Sequence, residues 1–292
     1  MNGICVKMED GDLIRLSDEI EFYFQDGEKV IIFNRYTKKS HCISRNEYLL
    51  LQMLVGLRTI DDLALLLPGI SRDALEKTLL GFYRRGFAEI IRPDGRSYQK
   101  YRAKARGRCL FRPIPFFDAH PRFRDFIYNA LVCGSPIVFI LGLMAFINAP
   151  FGLKLPRSIF ELAFALIALI LSLFIHEFSH AAVAHKKGAL PAEIGVKLSG
   201  LFIPCTYVIY AGIKTVAEPR DRLLIFTAGV MSHGLFLGLA AILHRIFNLT
   251  PLVYIFYINL IALLLNAVPL PGTDGYSVLR EYRRKNKKDT GK

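Results

Sequence analysis

The sequence predicts a multi-pass α-helical membrane protein of four spans, preceded by a small α+β domain, and three observations carry that class. Hydrophobic residues make up 52% of the 292, and mean hydropathy is positive at +0.32. A spanning helix needs roughly 20 mainly apolar residues. Phe126 to Leu153, Leu223 to Leu243 and Phe247 to Thr273 each run that long without one Asp, Glu, Lys or Arg. A fourth stretch, Ile159 to His185, is apolar apart from Glu161, His176, Glu177, His180 and His185. Ionisable groups within a span point to function.

Residues 1–93 form the first unit. Val30 to Asn34 and Ser40 to Ile43 are β-rich runs separated by polar turn residues, a hairpin signal. Three short helices follow. Ser44 with Glu47 makes a capping box, Thr59 with Asp62 starts a second helix, and Ser71 starts a third whose Leu75, Leu79, Phe82 and Phe87 share one side. Phe87 to Ile91 is a possible return strand. This order of strands and helices has a winged-helix character. Over residues 20–92 it resembles the peptide-binding domain of the pyrroloquinoline quinone biosynthesis chaperone, a family whose domains recognise leader segments of ribosomally made, post-translationally modified peptides. The resemblance implies a peptide partner.

Charge bears on the competing DNA reading of a winged helix. Residues 1–93 hold 13 Lys and Arg against 14 Asp and Glu, a net of −1, so the chain's +13 leaves +14 on residues 94–292. The N-terminal domain therefore offers phosphates little attraction, and no nucleic-acid partner is expected. The basic excess gathers in Arg96 to Arg124, in Lys186 to Arg222 and in the tail from Arg280 to Lys288. Placing these three on the cytoplasmic side by the positive-inside rule gives four spans with both termini inside the cell membrane, in contact with its lipids. The expected layout is a cytoplasmic domain (1–93), a basic linker (94–124), a membrane domain (125–275) and a basic cytoplasmic tail (276–292). No basic segment followed by an apolar stretch opens the chain, so no cleaved signal peptide is expected. Five scattered cysteines without a C-x-x-C pair suggest neither a disulfide framework nor a thiolate metal site.

His176-Glu177-Phe178-Ser179-His180 is an H-E-x-x-H motif. On a helix, histidines four residues apart project from one face and suit two nitrogen ligands of zinc, while Glu177 on the flank is placed to take a proton from water. A catalytic zinc usually keeps three protein ligands, so a third is needed. Asp274 is the candidate. It follows Pro269, Pro271 and Gly272, which must break the last span, and irregular backbone at membrane depth is tolerated where it lines a polar site. Spans two and four run in the same direction, and both sets of ligands come late in them, so their depths match. The plain alternatives are a chance pentapeptide facing a neighbouring helix and a helix-ending turn at Asp274.

Together, H-E-F-S-H at 176–180, Ala228-Gly229-Val-Met-Ser-His233, and N-x-x-P-x-P-x-x-D-G from Asn266 to Gly275 resemble the site-2 protease family of intramembrane metallopeptidases over residues 125–280. The resemblance implies zinc ligation by His176, His180 and Asp274, with Glu177 as catalytic base. The middle element departs from the family's A-G-P-x-x-N by Val230 and His233. His233 and Asn266 are then candidates for contacts to a substrate or transition state, beside the plain reading of a histidine satisfied between helices. Ile194 to Ser199 and Leu201 to Tyr207 flank Gly200 as a possible hairpin, of the kind on which related proteases are thought to lay substrate as an extended strand. His185 points away from the ligand face.

The sequence thus leads to a zinc-dependent intramembrane endopeptidase, with the leader of a ribosomally made, modified peptide as expected substrate. The alternatives are regulated intramembrane proteolysis of a membrane-anchored transcription regulator and an inactive protease fold acting as an adaptor.

Overall fold

The computed structural model describes residues 8–9, 11–25, 29–98, 107–199, 203–213, 216 and 218–289. The chain divides into two compact units, Met1–Arg106 and Gly107–Lys292.

In the first unit, β1 (Leu13–Leu16), β2 (Ile20–Gln25), β3 (Lys29–Asn34) and β4 (Lys39–Ile43) precede α1 (Arg45–Met53), β5 (Arg58–Thr59), α2 (Ile60–Leu66), α3 (Arg72–Arg85), β6 (Ala88–Ile91) and β7 (Ser97–Tyr98). The expected hairpin is β3 and β4, paired antiparallel from Val30 opposite Ile43 to Asn34 opposite Lys39. Two sheets form, ordered β2-β3-β4 and β5-β1-β6-β7. Ser44 and Thr59 each close a reciprocal capping box, Ser71 caps α3, and α3 ends on Gly86 in the left-handed region at φ 77°. Leu51, Leu54, Leu63, Leu75, Leu79 and Phe82 from the helices meet Ile14, Val30, Ile32, Ile43 and Ile90 from the strands in one core. Burying each such side chain contributes about 1.5–3 kcal/mol.

In the second unit, β8 (Arg108–Phe111) and α4 (Pro113–Ala119) fall where a linker was expected. Among the described residues, four helices long and apolar enough to cross a membrane follow: Pro121–Asn148, Ile159–Lys186, Pro219–Phe247 and Thr250–Ala267. By length and composition they fit a multi-pass membrane protein, and each overlaps one of the four expected spans. The first is composite. Its α5 (Pro121–Asn129) and α6 (Ser135–Asn148) are joined without interruption by a π turn over Ala130–Gly134. Pro136 lacks an N–H and crowds the carbonyl of Val132, and the widened turn relieves both. The others are α7 (Ile159–Lys186), α8 (Pro219–Phe247) and α9 (Thr250–Ala267). Asn248, left-handed at φ 51°, turns the chain between α8 and α9.

Helices α6 and α8 cross at a pair of glycines. A Cβ on Gly142 would collide with the backbone of Gly238, and one on Gly238 with that of Val138. Small residues permit such backbone contact, which lipid cannot drive hydrophobically. Between α7 and α8, β9 (Leu190–Ser199) and β10 (Ile203–Ala211) make the expected hairpin, and β8 extends it to a sheet ordered β10-β9-β8. The expected turn at Gly200, with Leu201 and Phe202 of the expected second strand, lies outside the described residues. The expected tail is largely helical, forming α10 (Asp274–Asp289).

Candidate metal centre

Helix α7 changes character along its length. Its first half is largely exposed, as for a lipid-facing surface, whereas Ser172, His176, Glu177 and every residue from Ser179 to Ala184 are buried. Ala181, Ala182 and Ala184 present no bulk, so neighbouring elements approach this end closely. His176 and His180 lie one turn apart on that buried face, their ring centroids separated by 4.7 Å.

The third expected ligand joins them. After α9 the chain breaks at Val268, passes Pro269 and Pro271, and turns at Gly272, whose φ of 100° favours glycine. Contrary to the expectation of an irregular presentation, Asp274 is the first residue of α10. Thr273 supports this helix start: its hydroxyl accepts from the Tyr276 N–H at 3.3 Å and donates to the Val268 carbonyl at 2.6 Å. A Cβ on Gly275 would strike the Ala267 carbonyl, so the D-G pair sets the start of α10 against the end of α9.

The three donor atoms converge. His176 Nε2 lies 3.2 Å from His180 Nε2, and Asp274 Oδ2 lies 3.3 Å from the first and 3.1 Å from the second. Zinc bonds of about 2.0–2.1 Å in tetrahedral directions put neighbouring donors about 3.3 Å apart. The cluster matches three corners of that tetrahedron. His180 Nδ1–H donates to the Ile225 carbonyl at 2.6 Å, which fixes the tautomer with the Nε2 lone pair turned into the cluster. These residues can hold a divalent metal ion.

Gly229 on α8 explains how a third helix comes so near. A Cβ there would overlap the His176 ring and reach within 2.5 Å of His180 Nε2. Glu177, 8% exposed, turns its carboxylate to the hairpin, where Thr206 on β10 hydrogen-bonds to it. Tyr210 on the same strand lies near enough to sense the charges of both Glu177 and Asp274. Burial, first, and those carboxylates, second, hold its phenol well above the usual range, so it stays a neutral O–H.

His233 stands beside the cluster, its ring 4.7 Å from that of His176 between centroids. Asn266 does not join; its Nδ2 donates to the Ala262 carbonyl one turn back at 3.0 Å. His185, as expected, lies apart, with Nε2 3.0 Å from Asp118 and Nδ1 3.2 Å from Arg124. Sequence reading missed Asn259, which meets His233 and Ser172, and the buried pair of Arg222 with Glu281 that ties α8 to α10. An Asn in the middle of the charge-free fourth span was the available signal for the former.

Comparison of the chain with protein-family models, with curated proteins and with solved structures finds no match.

Proposed function

We propose that the protein is a zinc-dependent intramembrane endopeptidase with its centre at His176, His180 and Asp274. The observation that carries this reading is the convergence of three donor atoms, from residues 94 or more positions apart in part, at mutual distances of 3.1–3.3 Å beside a buried Glu177. Two imidazoles and a carboxylate form a donor set typical of hydrolytic zinc. A zinc ion held there supplies Lewis acidity, polarising an amide carbonyl and acidifying a water molecule. Glu177 is the base that takes the proton as the water oxygen attacks the carbonyl carbon. It returns the proton to the amide nitrogen as the C–N bond breaks. Thr206 orients the Glu177 carboxylate, and β10, the outer strand of the β10-β9-β8 sheet, offers backbone groups to an extended substrate.

The proposed substrate is the leader of a ribosomally made, modified peptide, captured by a winged-helix-like N-terminal unit. Strand β4, at the edge of the β2-β3-β4 sheet, has the form that pairs with an extended peptide. The proposed orientation keeps both termini in the cytoplasm, as the basic segments 94–124, 186–222 and 280–288 direct.

Incubating the full-length protein in detergent with a library of unstructured peptides, read by mass spectrometry, tests the activity. Wild type should release defined fragments, a chelator should stop it, and Glu177→Gln should lose turnover while retaining its metal. Equal cleavage by Glu177→Gln would exclude this mechanism.

A further inference from the structure

One turn along α7 from His176, Ser172 meets His233 of α8 and Asn259 of α9 in a layer of three polar side chains, all buried, with His233 only 1% exposed. Their hydrogen bonds have one consistent assignment. Asn259 Nδ2 donates to the Ile255 carbonyl at 2.8 Å, which leaves Oδ1, a pure acceptor, facing the other two. The Ser172 hydroxyl donates to that Oδ1 at 2.8 Å. His233 Nδ1, 2.9 Å from the same oxygen, must then carry a hydrogen. A neutral imidazole protonated at Nδ1 has a bare lone pair at Nε2. That atom is buried and has no hydrogen-bond partner among the described residues.

Burying an unsatisfied acceptor costs about 1–3 kcal/mol, so such an atom in a site calls for a donor. Its own layer provides none. The ring lies alongside His176, yet His233 is not one of the three residues whose ligand atoms cluster, so Nε2 is placed for a neighbour of the metal rather than for the metal itself. We propose that Asn259 and Ser172 hold His233 as its Nδ1–H tautomer, so that Nε2 accepts a hydrogen bond from a protic ligand, an O–H or N–H group, bound at the metal centre. This rests on the metal reading above. It gives His233 a role opposite to that of an amide N–H donor: it selects ligands that carry a hydrogen.

Two measurements on the full-length protein in detergent test it. In 15N-histidine NMR, His233 should show a protonated Nδ1 and a bare Nε2; a hydrogen on Nε2 at neutral pH would overturn the proposal, whatever the metal content. In the cobalt-loaded protein, His233→Leu should weaken acetohydroxamate, which keeps its N–H when its oxygens bind a metal, by roughly tenfold and leave azide, which carries no hydrogen, unchanged. Asn259→Leu should reproduce that loss, and Ser172→Ala, a milder change, should give a smaller one. Equal effects on both ligands, or none, would contradict it. A protein that binds no cobalt would bring down the metal reading and the inference together, a failure distinguishable by metal analysis.

Discussion

Gly229 carries as much of the centre as the ligands do. Its missing side chain lets α8 bring the Ile225 carbonyl to His180 and its own backbone to His176. Gly229→Ala should therefore abolish metal retention with the ligands intact, because the added Cβ overlaps His176. Metal analysis after dialysis, with circular dichroism to confirm the helices, checks this; a variant that keeps its metal would show that α8 can retreat. At the same scale, the motif made His176, Glu177 and His180 legible, because a four-residue spacing on a helix dictates a shared face. His233 was legible through its place at the end of the Ala228-to-His233 element, as a candidate for contact with a ligand. Its partners Asn259 and Ser172 are fixed by tertiary packing, which no local spacing encodes.

Elements hold these residues in place, and α10 is the least anticipated of them. A basic, charge-rich segment reads as a solvated tail, yet Glu281, two turns beyond Asp274, is buried with Arg222 at the start of α8. Arg222 Nε donates to Glu281 Oε1 at 2.7 Å, Nη2 approaches the same oxygen at 2.6 Å, and Nη1 donates to the Val216 carbonyl. This pair fixes the course of α10 and so the reach of Asp274. Glu281→Ala leaves a buried guanidinium without its counter-charge and should destabilise the fold by about 3–5 kcal/mol, whereas the double change Arg222→Met with Glu281→Leu should recover most of it. Thermal unfolding in detergent reads the difference; equal melting of single and double variants would contradict the pairing. Likewise, Gly238→Leu should separate α6 from α8 and lower the melting temperature, since the crossing admits no side chain there.

For the whole molecule, length and apolarity announced four helices fit to span a membrane, and their limits follow from where charges resume. The strand order β10-β9-β8 of this one sheet was less visible, because β8 comes from a basic segment distant in sequence from the hairpin it joins. Orientation is testable by single cysteines in a background lacking the native five: Lys187→Cys should resist a membrane-impermeant maleimide in intact cells, and Lys154→Cys should react. The reverse pattern would invert the proposed topology. The central claim is that His176, His180 and Asp274 together hold one catalytic metal ion. Its most direct test is elemental analysis of purified wild type beside His180→Ala and Asp274→Asn. The account predicts about one zinc per chain in wild type and near none in either variant. Equal metal in all three, or none in wild type after reconstitution with zinc, would contradict it.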